Sequence, residues 1–227
     1  MTRAHIGLTF IVSLGAMIFG HLAWALAPSY EITIRELIPL ADWQKQFKIT
    51  DGRDRGKVVP LTFHRGAGTK DGWRLDFGDY AGIYLKNDAG GSLMMERLDL
   101  IKSRSFIVYE PALPIFARDV ASGVAVPRQA NFKMYDRETG RLKRIGRATH
   151  VVRRVSLSQF ETPAGLIDGY YLEIDHRMDM QYAQLHMSLG LGCRLDEGPV
   201  YGVGRYTLTK LGLFTETKTA AAGLAIR

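Results

Sequence analysis

The sequence predicts an all-β protein: a curved antiparallel sheet or half-barrel that forms a single domain after a cleaved signal peptide. The first observation is an alternation of apolar and polar residues with a period of two, clearest over residues 170–180. The second is a series of tight-turn dipeptides, such as Asp51-Gly52 and Gly78-Asp79. Because turns separate the strands at intervals of roughly 8–12 residues, we expect about ten antiparallel strands. A β-sandwich or a closed barrel fits the same periodicity.

The first 25 residues predict a secretory signal peptide. An uncharged apolar stretch over residues 6–20 follows a short polar start, and Ala23 and Ala25 supply small residues at the −3 and −1 positions. Cleavage after Ala25 is favoured over cleavage after Ala27, where Pro28 would follow the scissile bond. The alternative is an uncleaved anchor, but the apolar core is shorter than the roughly 20 residues that span a bilayer. We therefore expect an exported, periplasmic protein.

The rest of the chain is the length of one domain. Its composition, with 46% apolar and 23% charged residues, is typical of globular proteins. We expect a signal peptide over residues 1–25, an all-β domain over residues 29–217 and a flexible tail of small residues over 218–227. The single cysteine, Cys193, excludes an intramolecular disulfide, so the fold depends on its core.

One segment interrupts the alternation of the strands. Pro111, Pro114 and Pro127 each lack the backbone N–H group that a central strand donates to its neighbour. We therefore expect a long crossover connection over residues 111–127, with a short helical turn over residues 115–121.

Positive charge is concentrated between residues 118 and 154. Ten basic and three acidic residues give this segment a charge of +7, which equals the net charge of the whole chain. An exported protein meets anionic lipid or cell-wall polymer rather than nucleic acid, so an anionic membrane surface is the expected partner. The alternative is an ordinary solvated strand face. A bulge or turn at Gly146 would bring most of the charges to one surface. The candidate binding residues are Arg141, Lys143, Arg144, Arg147, Arg153 and Arg154.

Two segments carry a resemblance to a known kind of protein. Residues 160–165 (FETPAG) lead into the long strand, and residues 189–194 (LGLGCR) end a later one. This pairing resembles uncharacterised bacterial periplasmic β-sheet proteins, which are similar in architecture to the LolA/LolB-like lipoprotein-carrier half-barrels. Leu189 and Cys193 depart from the pattern, which has a proline and a β-branched residue there. The resemblance implies a curved sheet whose concave apolar face holds a lipid or peptide, and it supplies no catalytic residues.

Cys193 supports an alternative, enzymatic function. Together with His186, Ser188 and Arg194 it resembles the signature of Cys-dependent L,D-transpeptidases. The serine lies five positions before the cysteine instead of two, and the arginine follows the cysteine directly. A buried structural thiol is therefore the preferred interpretation, and a cell-wall hydrolase or transpeptidase that uses Cys193 is the alternative.

No metal or cofactor site is expected. On a strand, His176 points away from Asp175 and Asp179, and the two carboxylates lie about 13 Å apart along the strand. The Gly-rich residues 196–204 lack the GK[ST] ending of a phosphate loop and predict a hairpin or a bulge between two late strands instead. Whether any of the histidines converge in space stays open.

These observations predict a non-enzymatic envelope protein. We expect it to bind an apolar or amphipathic ligand, such as a lipid or a lipoprotein-like molecule, or a partner protein. No catalytic, cofactor-binding or metal-binding residue is assigned, and no nucleic acid is expected as a partner.

Overall fold

Twelve antiparallel strands form the wall of a closed barrel in the computed structural model, which describes residues 32–66, 72–116, 125–210 and 214–225. A short helix, α1 (Ile34–Leu37), precedes the strands. The strands are β1 (Trp43–Asp51), β2 (Val58–Arg65), β3 (Gly72–Phe77), β4 (Ala81–Asn87), β5 (Leu93–Leu100), β6 (Ser105–Phe116), β7 (Arg128–Asp136), β8 (Leu142–Thr162), β9 (Gly165–Met180), β10 (Ala183–Arg194), β11 (Gly198–Lys210) and β12 (Phe214–Leu224).

The all-β class is confirmed, but the predicted half-barrel is wrong because the sheet closes on itself. Each strand pairs with the next one in the sequence, and β12 pairs with β1. This closing contact consists of four residue pairs, between Phe47–Asp51 and Ala221–Leu224. Alternation of apolar and polar residues is the same in an open and a closed sheet, so it does not distinguish them.

The C-terminal residues form part of the barrel wall instead of the expected flexible tail. β12 extends to Leu224 and pairs with β11 over ten residue pairs. This pairing provides hydrogen-bond partners for backbone N–H and C=O groups of residues that were expected to be disordered. The all-β domain therefore extends beyond residue 217. The predicted signal peptide, residues 1–25, lies outside the described residues. Within the described ranges, no helix has the length and apolar character needed to cross a membrane.

The first part of the proline-rich segment, residues 111–116, belongs to a strand where a crossover connection was expected, and residues 117–124 lie outside the described residues. Pro111 and Pro114 lie in β6, and the Glu110–Pro111 peptide bond is cis. β6 pairs with β7 only from Ser105 to Glu110, so the two prolines lie where β7 does not require backbone donors. The expected helical turn over residues 115–121 is wrong at its start, because Ile115 and Phe116 are the last two residues of β6. The rest of that turn lies outside the described residues.

The interior of the barrel is packed with the protein's own side chains. Trp43, Phe63 and Trp73 form a stack with ring centroids 5.4 Å and 5.0 Å apart. Leu37 of α1 and Leu172 on β9 are 2% and 0% exposed. Each such side chain contributes about 1.5–3 kcal/mol of burial free energy. The concave apolar face that was expected to hold a ligand is therefore occupied by the core.

Candidate functional site

The hairpin formed by β8 and β9 is longer than the barrel wall, and its end folds across the outer surface. We call this end, residues 157–168, the arm. Phe160 of the arm stacks on Tyr201 of β11, with ring centroids 5.6 Å apart. A Cβ atom at Gly192 would lie 2.8 Å from the Phe160 ring, and one at Gly223 would lie 3.1 Å from Pro163. Because Gly192 of β10 and Gly223 of β12 have no side chain, the arm can lie directly against these strands.

The arm brings together the two segments that carry the sequence resemblance. The turn at Pro163 and Ala164 follows Phe160, and Phe160 covers Gly192 of the GxG segment. The pairing of the two motifs thus has a direct steric basis. As predicted, the Gly-rich residues 196–204 lie in a hairpin: they form the turn between β10 and β11 and the first part of β11.

A groove of about 350 Å³ lies beside the arm, on the outer face of β8 to β12. Tyr171, which packs against Phe160 with centroids 6.1 Å apart, forms one wall, and its phenol lies over the backbone of Gly190. Val203 adds apolar surface. The polar residues that line the groove are Arg153, Glu173, Asp175, Ser188, Arg205 and Thr219.

A β-bulge directs two consecutive arginines to the outer side of the barrel. Val152 pairs with Ile174 and Arg154 pairs with Glu173, so Arg153 is the extra residue between them. On a regular strand Arg153 and Arg154 would point to opposite faces. The bulge lies here and not at Gly146, which pairs regularly with Met180.

Asp175 is the centre of the polar network in the groove. Its carboxylate forms an ion pair with Arg153, accepts a hydrogen bond from Ser188 Oγ at 3.0 Å and lies 3.5 Å from His186 Nε2. Partial burial raises the pKa of Asp175, but the hydrogen bonds from Arg153 and Ser188 outweigh that effect and lower it. Because Ser188 and His186 both bind the carboxylate, His186 does not stand between the serine and the aspartate as in a catalytic triad.

Arg205 differs from Arg153 in its surroundings. It lies opposite Ser188 on β10 and Thr219 on β12. Among the described residues, no carboxylate lies within ion-pair distance of its guanidinium, so its charge is available to a ligand in the groove.

The cationic residues predicted to bind an anionic surface are spread along β8. Lys143 is neutralised by Asp136 at 2.8 Å, and Arg153 by Asp175. Arg144 donates a hydrogen bond to the carbonyl oxygen of Lys143 at 3.2 Å. Arg141 precedes the strand and is exposed. Arg147 and Arg154 are exposed and lie roughly 23 Å apart along the strand. The structure thus brings Arg153 and Arg154 together beside the groove, but not the whole set.

Cys193 is buried inside the barrel and fully inaccessible to solvent. Burial raises the pKa of the Cys193 thiol to about 12, so the nucleophilic thiolate is strongly disfavoured at neutral pH. His186 projects to the outer face. His176 pairs with Met187, six positions along β10 from Cys193, or about 20 Å. The structure therefore places neither of these histidines where it would activate the thiol.

Two histidines do converge, in the core. His150 and His176 form a cross-strand pair with their Nδ1 atoms 3.4 Å apart, and His150 Nε2 lies 2.8 Å from the carbonyl oxygen of Ile115. The sequence shows both on strands but does not give the register that joins them, since the bulge at Arg153 shifts the pairing. Within the described part of the chain, no group of three or more His, Cys, Asp or Glu side chains is arranged to hold a metal ion.

The fold and the groove define a closed antiparallel β-barrel protein with a ligand-sized depression on its outer wall. No family model matches the chain, and no curated protein matches it in sequence. Among solved structures, it is similar to the hypothetical lipoprotein YmcC from Escherichia coli (K12), with a TM-score of 0.38, 9% identity and coverage of 82% of this chain and 88% of that chain. So low a similarity carries no function to this chain, and the resemblance to LolA/LolB-like carriers is not confirmed.

Proposed function

We propose that the protein is an exported, non-enzymatic binding protein of the cell envelope, and that it binds an amphipathic ligand with an anionic headgroup in the groove beside the arm. The observation that carries the proposal is the position of Arg205. Its guanidinium, with no carboxylate partner among the described residues, lines the same groove as the apolar surfaces of Tyr171 and Val203.

The lining of the groove offers partners to both parts of such a ligand. A phosphate or carboxylate headgroup accepts charge-assisted hydrogen bonds from Arg205 and a further hydrogen bond from the hydroxyl of Thr219. An alkyl chain packs against Tyr171 and Val203. The volume of about 350 Å³ is near the lower end of the range for small-molecule sites, which favours a single short chain.

The signal-peptide pattern of residues 1–25 supports export. We propose a non-enzymatic role because neither of the two possible nucleophiles, Cys193 and Ser188, is in a reactive environment. Cys193 is buried and its pKa is raised, while the hydroxyl of Ser188 donates to Asp175. Neither group is set up to attack a substrate in the groove.

Isothermal titration with chain-matched probes tests the proposal. We expect octyl phosphate, below its micelle concentration, to bind more tightly than neutral octyl glucoside. Arg205→Ala should weaken octyl phosphate about tenfold and leave octyl glucoside unchanged, because only the charged headgroup needs the guanidinium.

The matched control is Arg147→Ala, which removes another unpaired arginine of the outer face outside the groove. It should leave both probes unaffected. Equal binding of the two probes, or equal losses in the two variants, would contradict a headgroup site at Arg205.

A second candidate function is attachment to an anionic membrane surface through the cationic residues of β8. The observation that favours it is the exposure of Arg141, Arg144, Arg147 and Arg154, none of which has a carboxylate within ion-pair distance among the described residues.

A further inference from the structure

The start of β8 and the two strands before it carry apolar side chains on the outer surface of the barrel. Leu142 and Ile145 of β8 are 55% and 57% exposed. Tyr135 of β7 lies opposite Leu142 and stacks on Phe106 of β6, with ring centroids 5.1 Å apart. We call these four residues, Phe106, Tyr135, Leu142 and Ile145, the outer apolar patch.

A β-bulge brings the two aliphatic side chains of the patch to the same face. Ile145 points outward together with Lys133, its exposed partner on β7. Lys143 is an extra residue between the paired positions of Leu142 and Arg144. Residues three positions apart on a regular strand point to opposite faces, whereas the bulge places Leu142 and Ile145 on the same one.

The charge that borders the patch is positive, because the nearby carboxylates already have basic partners. The ion pairs are Glu110 with Lys133, Glu138 with Arg104, Asp136 with Lys143, Asp99 with Arg97 and Asp179 with Arg177. Arg147 lies on the same face as Ile145, two positions further along β8, and Arg141 directly precedes Leu142. Among the described residues, neither arginine has a carboxylate within ion-pair distance. An apolar surface bordered by such cations is complementary to a bilayer with anionic headgroups.

We propose that the outer apolar patch inserts into an anionic bilayer while Arg141 and Arg147 contact its headgroups. This inference rests on the second candidate function, attachment to an anionic membrane surface, and adds to it a hydrophobic anchor and an orientation of the barrel. Tyr182, in the turn between β9 and β10 at the same end of the barrel, is 57% exposed. Tyrosine is favoured at the boundary between headgroups and acyl chains, so this end of the barrel suits the same position.

Serine variants of the purified protein test the anchor by cosedimentation with phosphatidylglycerol vesicles. The double variant Leu142→Ser/Ile145→Ser should raise the lipid concentration for half-maximal binding about tenfold or more, because serine gains little from leaving water. The matched control is Leu166→Ser, which removes a leucine that is 68% exposed at the other end of the β8–β9 hairpin. It should bind like the wild type. Far-UV circular dichroism checks that each variant is folded.

Tryptophan at the same positions reports insertion directly. The fluorescence of Ile145→Trp should shift to the blue on binding and be quenched by brominated phosphatidylglycerol. Leu166→Trp should show neither effect beyond the wild type, in which Trp43 and Trp73 stack within the core.

The two levels of the proposal fail in different ways. If the double serine variant binds like the wild type and Ile145→Trp is not quenched, insertion is overturned and attachment by charge alone remains. If the wild type does not bind phosphatidylglycerol vesicles at low salt, membrane attachment itself is overturned, and the anchor with it.

Discussion

At the residue scale, His150 and His176 form a pair of buried titratable side chains in the core of the barrel. Burial lowers the pKa of His150 to about 4, against the opposing effect of its hydrogen bond to Ile115. Burial, and then the charge of His150, lowers the pKa of His176 to about 3. Tyr109 packs edge-on against His176, with ring centroids 6.5 Å apart, and offers no charge to compensate a proton. Both imidazoles are therefore neutral in the folded protein.

This pair predicts a loss of stability in mild acid. Unfolded histidines take up protons below about pH 6.5, whereas the folded pair resists protonation until about pH 4. The free energy of unfolding therefore has its full value above about pH 6.5 and falls by several kcal/mol as the pH decreases to about 4. A difference of one between the folded and unfolded pKa corresponds to about 1.4 kcal/mol. Urea denaturation between pH 7 and pH 4 measures the change.

His176→Leu keeps a similar volume and removes one of the two titrating groups, so its stability should depend less steeply on pH in this range. Met178→Leu, a substitution in the core of the same strand that removes no titratable group, is the control and should keep the wild-type slope. The interpretation fails if His176→Leu retains the full pH dependence.

At the scale of structural elements, the position of the arm depends on the absence of a side chain at Gly192. Its Phe160 ring occupies the space above Gly192, where a Cβ atom would lie 2.8 Å from the ring. Gly202 on the neighbouring strand pairs with Leu191 and has no atom within 4 Å of the position of its Cβ. The two glycines thus offer the same substitution in a crowded and in an open position.

Gly192→Ala should lower the free energy of unfolding by about 1–3 kcal/mol, because the ring or the strand must move to admit the methyl group. Gly202→Ala should change it by less than about 1 kcal/mol and in the stabilising direction. Denaturant unfolding gives both values, and limited proteolysis reports whether the arm has been released. Similar results for the two variants would show that the arm does not press on β10.

At the scale of the whole molecule, the excess of positive charge governs long-range attraction to anionic surfaces. The net charge of +7 is concentrated between residues 118 and 154, but the structure neutralises Lys143 and Arg153. The residues that remain for a membrane are Arg141, Arg144, Arg147 and Arg154. Each charge near an anionic bilayer contributes about 1 kcal/mol, and the attraction falls with salt.

Cosedimentation with vesicles therefore should detect binding to phosphatidylglycerol but not to phosphatidylcholine, and the binding should weaken at high salt. The triple variant with alanine at Arg144, Arg147 and Arg154 should bind less, whereas Arg205→Ala should bind like the wild type. This is the reverse of the expectation for octyl phosphate, so the two experiments separate the membrane surface from the groove. Binding to neutral vesicles of equal strength would exclude the electrostatic interpretation.

Features that depend on neighbours in the chain were predictable from the sequence. The alternation over residues 170–180 identified most of β9, and the glycines at positions 52 and 78 adopt the positive φ of 91° and 48° expected of their turns. Period-two alternation indicates which residues share a face of a strand, and turn residues indicate where a strand ends. The all-β class follows from these local signals alone.

The tertiary structure alone decided how the sheet closes and where the candidate site lies. Closure pairs Phe47 with Leu224, and no local pattern encodes a contact between the first and the last strand of the barrel. The groove depends on the bulge at Arg153, which shifts the register by one residue, and on the arm, which passes over Gly192. A strand pattern repeats every two residues, so it leaves register, bulge position and closure undetermined. Only the packing of distant strands against one core selects among them.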